Sequence, residues 1–108
     1  TYTPQLRHKA RRPWHIGLLF AEDTRLSHPL ADLLSASNDL VVGLNEPYSG
    51  YLAGDTIDRH AIRKARQNTL IEIRNDLVED EAGQRAWADR LGELLPKALY
   101  AAEQRKGD

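Results

Sequence analysis

A chain of 108 residues, 41% hydrophobic and 29% charged, has the size and make-up of one soluble globular domain at most. Its net charge of -1 gives no bulk attraction to nucleic acid or to an anionic membrane; no apolar run reaches the length of a membrane span, and no secretory signal pattern is present. Cysteine is absent, which excludes disulfides and thiolate metal sites and fits a cytoplasmic protein; methionine is absent too, and the start Thr1-Tyr2-Thr3-Pro4 reads as a processed chain or a piece of a longer one.

Residues 1–12 are polar and basic, with Arg7, His8, Lys9, Arg11 and Arg12, and predict a loop. That cluster is either a solvated surface or an anion-attracting rim near a site. Trp14 to Phe20 is short, apolar and preceded by Pro13, as a buried strand would be. After the polar break Ala21–Thr24, a helix is predicted from Ser27 to Ala36. Ser27 serves as its N-cap, Pro29 lies in the tolerant first turn, and Leu30, Leu33 and Leu34 share one face. Leu40 to Leu44 reads as a second buried strand. Strand, helix, strand in that order suggests a crossover and a parallel sheet, in which ligands gather beyond the carboxyl ends of the strands. The polar turn Asn45-Glu46-Pro47-Tyr48-Ser49-Gly50 stands at such an end.

Gly54-Asp55-Thr56 precedes a short helix predicted near 57–66, where Ile57, Ala61 and Ala65 share a face. Thr69 to Asn75 is the third strand, with Leu70, Glu72 and Arg74 on one face and Ile71, Ile73 and Asn75 on the other. A long helix is predicted from Asp80, its N-cap, to Gln104. Its apolar stripe is Ala88, Leu91, Leu95, Ala98, Leu99 and Ala102, with Trp87 beside it, Pro96 in mid-helix and Gly107 past its end. Three strands make a thin core, which suggests further strands from residues preceding Thr1.

Two features carry chemistry. Glu72 stands between isoleucines. It is either a strand-end carboxylate paired with Arg74 or a helix residue, or a general base, because apolar neighbours disfavour its charged form and push its pKa upward. The turn after Leu44 needs no Tyr or Ser to turn, so Asn45, Tyr48 and Ser49 read as polar groups for a substrate. His8, His15, His28 and His60 match no zinc signature. His60 is the first candidate for a pocket residue and His15 the second. Neither a Gly-rich phosphate loop nor a Gly-x-Ser-x-Gly elbow occurs.

In this order, Thr3-Pro4, Arg12-Pro13-Trp14-His15-Ile16-Gly17, Asn45 to Gly50, Gly54-Asp55-Thr56 with His60, and Leu70-Ile71-Glu72-Ile73-Arg74-Asn75-Asp76-Leu77 resemble the N-formylglutamate amidohydrolase family over residues 1 to about 95. The resemblance implies an α/β fold: a mostly parallel sheet flanked by helices, part of a zinc carboxypeptidase-like (phosphorylase/hydrolase-like) architecture. Residues 1–108 would form the C-terminal part of one such domain. It implies a bacterial, cytoplasmic, zinc-dependent hydrolase of the N-formyl or other N-acyl amide of an amino acid. The family's named reaction releases formate and glutamate from N-formylglutamate in histidine breakdown.

By that resemblance, Glu72 corresponds to the general base, Asn45, Tyr48 and Ser49 to the substrate-binding turn, and His60 and Arg74 to further substrate-pocket members; Arg12 and His15 belong to a family motif without an assigned role. The zinc ligands are implied upstream of Thr1: a His in a His-Ser-Gly-type motif, an acidic residue after it, and a His just before Thr1. The implied partners are a small-molecule N-acyl amino acid and the N-terminal remainder of the same protein, not nucleic acid or membrane, and this chain alone is expected to be inactive. The alternative is a non-catalytic binding module, or a truncated fragment lacking the metal ligands.

Overall fold

The computed structural model describes residues 1–47 and 66–104. Tyr48, Ser49, Gly50, His60 with nearly all of the helix predicted around it, and Gly107 lie outside the described residues.

The described elements are β1 (Ile16–Leu19), α1 (Ser27–Ser35), β2 (Val42–Leu44), β3 (Leu70–Ile73), a single 3-10 turn (Asn75–Leu77) and α2 (Glu81–Gln104). The strands lie in the order β2-β1-β3. β1 and β2 are parallel, with Ile16 opposite Val42 and Gly17 opposite Gly43. This follows from the α1 crossover between them, since parallel neighbours need a long connection. β3 runs antiparallel to β1, with Gly17 opposite Glu72 and Leu19 opposite Leu70. The described sheet is therefore mixed, with one parallel and one antiparallel ladder, where the sequence reads as mostly parallel. An apolar strand pattern is the same in either direction, so it does not carry the polarity of β3.

Residues opposite one another on neighbouring strands share a face. Ile16, Leu18, Val42, Ile71 and Ile73 form the face that packs on Leu30, Ala31 and Leu34 of α1 and on Trp87 and Ala98 of α2. Ile16, Leu18, Leu30 and Leu34 are fully buried. At about 25 cal/mol per Å² of apolar surface removed from water, this core is the main stabilising term. The opposite face of the sheet carries Gly43, Gly17 and Glu72 in one row.

Several local expectations shift. β2 is an edge strand of the described sheet rather than the buried one expected: Val41 and Leu44 are exposed, the Val41 N–H donates to His15 Nδ1 at 2.9 Å, and the strand starts two residues later, at Val42. Ser27 is not a cap. The Leu26–Ser27 region already turns, the His28 N–H donates to the Thr24 carbonyl at 3.2 Å, and the fully buried Ser27 hydroxyl donates to the same oxygen at 3.5 Å. Asp80 does cap α2: its Oδ1 accepts the Gly83 N–H at 2.7 Å, while its carbonyl accepts the Gln84 N–H at 3.0 Å. In α2 the buried stripe centres on Trp87, Ala98 and Ala102 with Leu91, Leu94 and Leu95 at its margin, and it leaves Ala88 and Leu99 exposed. Among the described residues, no helix is long and apolar enough to cross a membrane.

Residues 1–12 are not all loop. Tyr2 forms a parallel bridge with Arg74, flanked by Tyr2 N–H to Ile73 carbonyl at 3.2 Å and Asn75 N–H to Tyr2 carbonyl at 2.7 Å. The amino end thus lines the outer edge of β3.

Candidate active site

The sheet face away from the helices is flattened by two glycines. A Cβ on Gly17 would stand 1.9 Å from the Glu46 carbonyl oxygen, and one on Gly43 would stand 2.8 Å from both the Trp14 ring and Glu46 Cβ. The turn after β2 therefore folds back over β1 and β2, and only glycine admits that approach. Glu72, next in the row, is its only side chain beyond Cα. The Glu46–Pro47 peptide bond in this turn is cis.

Asn45 opens the turn in the left-handed region, at φ 55°, a conformation Asn tolerates better than most residues. Its N–H donates to the Leu18 carbonyl at 2.9 Å, and its side-chain oxygen accepts the Phe20 N–H at 2.8 Å. The side chain ties the carboxyl ends of β1 and β2 together, so its amide oxygen serves the fold. Tyr48 and Ser49, the rest of that set, and His60 lie outside the described residues.

The Glu72 side chain is 20% exposed and accepts a hydrogen bond, through Oε2, from the Thr1 amino group. It does not pair with Arg74. Arg74 instead grips Asp76 through two bonds, Nε to Oδ1 at 2.6 Å and Nη2 to Oδ2 at 3.1 Å, and its Nη1 donates to the Trp14 carbonyl at 3.5 Å. With its side chain only 11% exposed, Arg74 meets the sheet rather than solvent. The guanidinium's hydrogen bonds hold the Asp76 carboxyl below its usual range. Two residues beyond Arg74, a better-placed carboxylate takes the guanidinium.

Sequence reasoning passed over Tyr2. It is 3% exposed, and its hydroxyl donates to the Trp14 carbonyl at 2.5 Å, the oxygen that Arg74 also reaches. Burial pushes the Tyr2 phenol up to about 12, against the opposing pull of the Arg74 and Arg12 cations. The Arg12 guanidinium lies 5.7 Å from the centre of the Tyr2 ring, and its Nη1 donates to the Thr3 carbonyl at 3.2 Å. The usable signal was an aromatic residue beside Thr-Pro in an otherwise basic stretch.

His15 is not brought to this face. Its Nδ1 accepts the Val41 N–H, so the neutral ring carries its proton on Nε2. It borders a cleft of about 270 Å³ with Asp39, Leu40, Leu77, Ala86, Trp87 and Arg90. That cleft lies at the amino end of β1, away from Asn45 at the carboxyl end of β2. Among the described residues, no three His, Asp or Glu side chains converge as a cation site.

The described site thus offers a partly shielded carboxylate on a glycine-flattened face. One of its oxygens is held by a nitrogen donor and the other has no protein partner among the described residues.

The family described as N-formylglutamate amidohydrolase matches residues 1–79. The crystal structure of gene product Atu2144 from Agrobacterium tumefaciens is similar at 36% identity and a TM-score of 0.83, over 94% of this chain and 40% of that one. The chain therefore spans well under half the length of that relative. A comparison with curated proteins gives no match.

Proposed function

Because this chain belongs to the N-formylglutamate amidohydrolase family, we propose that it forms part of a hydrolase that cleaves the N-formyl, or a related N-acyl, amide of an amino acid such as glutamate, with Glu72 as the general base. The observation that carries this reading is the environment of Glu72. It lies inside the matched span, on the sheet face opposite α1 and α2; one of its oxygens pairs with the Thr1 amino group, and the other has no partner among the described residues. In the proposed reaction, Glu72 takes a proton from the attacking water and returns it to the leaving amine. Arg74 is tied to Asp76, so recognition of the substrate carboxylates falls to the turn that begins at Asn45 and to residues outside the described part.

The described residues do not assemble a set of zinc ligands, so the zinc of this reading depends on ligands outside them. When bound, zinc would supply polarisation of the acyl carbonyl. The remaining parts of the reading are a mostly parallel, carboxypeptidase-like full domain, a small N-acyl amino acid as partner, and a place in the cytoplasm.

Formate release from N-formylglutamate, measured with zinc for this chain and for a longer polypeptide that carries it, tests the proposal. Glu72→Gln lowers turnover by at least about a hundredfold while far-UV circular dichroism and zinc content stay unchanged. Turnover retained in that variant refutes the role of Glu72. Saturable binding of N-formylglutamate with no hydrolysis in either polypeptide marks a binding module instead.

A further inference from the structure

His15 and Val41 stand just ahead of β1 and β2, where the parallel ladder that pairs Ile16 with Val42 would gain its next rung. The His15 N–H donates to the Val41 carbonyl at 2.9 Å, but the His15 carbonyl faces the other neighbour and accepts the Arg74 N–H at 3.0 Å. The Val41 N–H goes to the His15 ring, at Nδ1 and 2.9 Å. One residue thus meets both flanking strands, and a ring nitrogen stands in for a main-chain carbonyl.

The substitution of acceptors has a consequence. A carbonyl oxygen accepts at any pH. An imidazole nitrogen accepts only while it carries no proton, and histidinium has two N–H donors and no acceptor. Histidine is also the side chain whose unperturbed charge change falls between about pH 5 and pH 8. The ring borders its cleft with Asp39 from the α1–β2 connection and Arg90 from α2; the other lining residues, Leu40, Leu77, Ala86 and Trp87, carry no charge. Asp39 is engaged by Ser37 and Arg90, so the two charges face the ring as a pair. On the β3 side, the Arg74 guanidinium is paired with Asp76.

We propose that His15 is a proton-operated fastener for the amino end of β2: the neutral ring holds Val41, and the protonated ring, a donor facing a donor, releases it. The freed N–H lies at an exposed edge, where water replaces the ring, so the release is local. It loosens the stretch between Asp39 and Val42, which carries the contact from Asp39 to Arg90 on α2. The carboxyl end of β2 keeps its own tie, from the Asn45 N–H to the Leu18 carbonyl. Glu72 has no part in this device, which stands or falls apart from the catalytic reading.

Amide exchange of this chain labelled with 15N tests it, each rate being taken relative to the free rate of that amide at the same pH. From about pH 8 to pH 5 the Val41 amide is expected to lose roughly two- to tenfold in protection, in step with the titration of the His15 ring. The Asn45 amide keeps its protection over the same range. His15→Asn sets a side-chain oxygen that does not titrate close to the place of Nδ1, and is expected to hold Val41 at both ends of the range. His15→Leu removes the acceptor and is expected to leave Val41 unprotected at both. Equal protection of Val41 before and after the ring has titrated overturns the proposal, and so does a ring still neutral at the acid end. A His15→Asn chain in which Val41 responds to pH like the parent assigns the proton to another group and overturns it as well. If His15→Leu does not fold, the parent titration and His15→Asn decide.

Discussion

The Glu46 carbonyl oxygen occupies the place where a side chain on Gly17 would begin, 1.9 Å from its ideal Cβ position. Backbone, not a flexible side chain, is the obstacle, so a methyl group there must push the turn away from the sheet. Gly17→Ala gains roughly 0.4–1 kcal/mol from a less free unfolded chain. Against that stands an overpacking cost of about 1–3 kcal/mol. The net expectation is destabilisation, read as a lower urea midpoint at unchanged slope. Because Gly17 faces Glu72 across the ladder, the same change also disturbs the site. A midpoint equal to or above that of the parent chain shows that the turn yields freely.

The pair Arg74–Asp76 is asymmetric, and the asymmetry predicts which partner matters more. Arg74 is nearly buried, whereas Asp76 is about one-third exposed. Removing Asp76 strands a shielded cation with only a 3.5 Å bond to the Trp14 carbonyl. Leaving a buried donor without its acceptor costs about 1–3 kcal/mol, and a charged one more. Asp76→Ala is expected to cost at least that much by chemical denaturation. The double change Asp76→Ala with Arg74→Met should cost less than the sum of the single changes, since methionine has no charge to strand. Additive losses show that the two groups are not coupled.

Among the described residues, three carboxylates are held below their usual range by neighbouring donors: Asp23 by Arg25, Asp39 by Ser37 and Arg90, and Asp76 by Arg74. Asp39 reaches about 2, from an ordinary value of 3.8. Each folded-state value is depressed, so below the ordinary value the unfolded chain binds more protons than the folded one. The stability that these groups contribute is present in full above pH 3.8 and is lost as pH falls toward 2. Melting temperature measured between pH 6 and pH 2 is expected to turn downward only in that lower window. Asp39 is the most strongly shifted of the three and links the α1–β2 connection to α2 through Arg90 at 3.0 Å, so Asp39→Asn should flatten the acid limb. A limb unchanged in that variant assigns the acid response to other groups.

What could be read from the sequence follows the physics of each element. The α1 and α2 helices were visible because apolar side chains repeat with the helical period, and Asp80 because a cap is a local chemical event. The crossover from β1 to β2 was visible because it is a matter of chain length and connection. The direction of β3 was not, since strand alternation has no sign. Nor was the partner of Arg74. Same-face placement points to Glu72, but a planar guanidinium with a carboxylate two residues ahead closes a tighter, two-bonded ring. The structural part of Asn45 was not legible either: the side-chain amide that suits a ligand equally suits a strand end, and here its oxygen accepts the Phe20 N–H. Tyr2 was hidden because its burial depends on β3 and Trp14, residues far along the chain.

Tyr2 also offers a measurement that needs no substrate. The chain has four tyrosines, and the Tyr2 phenol is pushed up to about 12 from 10.0 because ionisation would place a phenolate in a buried site. Its hydroxyl donates to the Trp14 carbonyl, and a phenolate has no proton to donate. The folded-state value lies above the unfolded one, so the folded chain binds more protons between the two. The stability tied to the neutral phenol is complete below pH 10 and is lost as pH rises toward 12. Absorbance near 295 nm is therefore expected to show one tyrosine ionising late, in step with alkaline unfolding, and Tyr2→Phe should remove that late step. Arg74→Met deletes a cation that favours the phenolate, so it should move the step to still higher pH unless the fold gives way first. A single ionisation near 10 for all the tyrosines, with the fold intact, shows that water reaches the Tyr2 hydroxyl and that the anchor on Trp14 is loose.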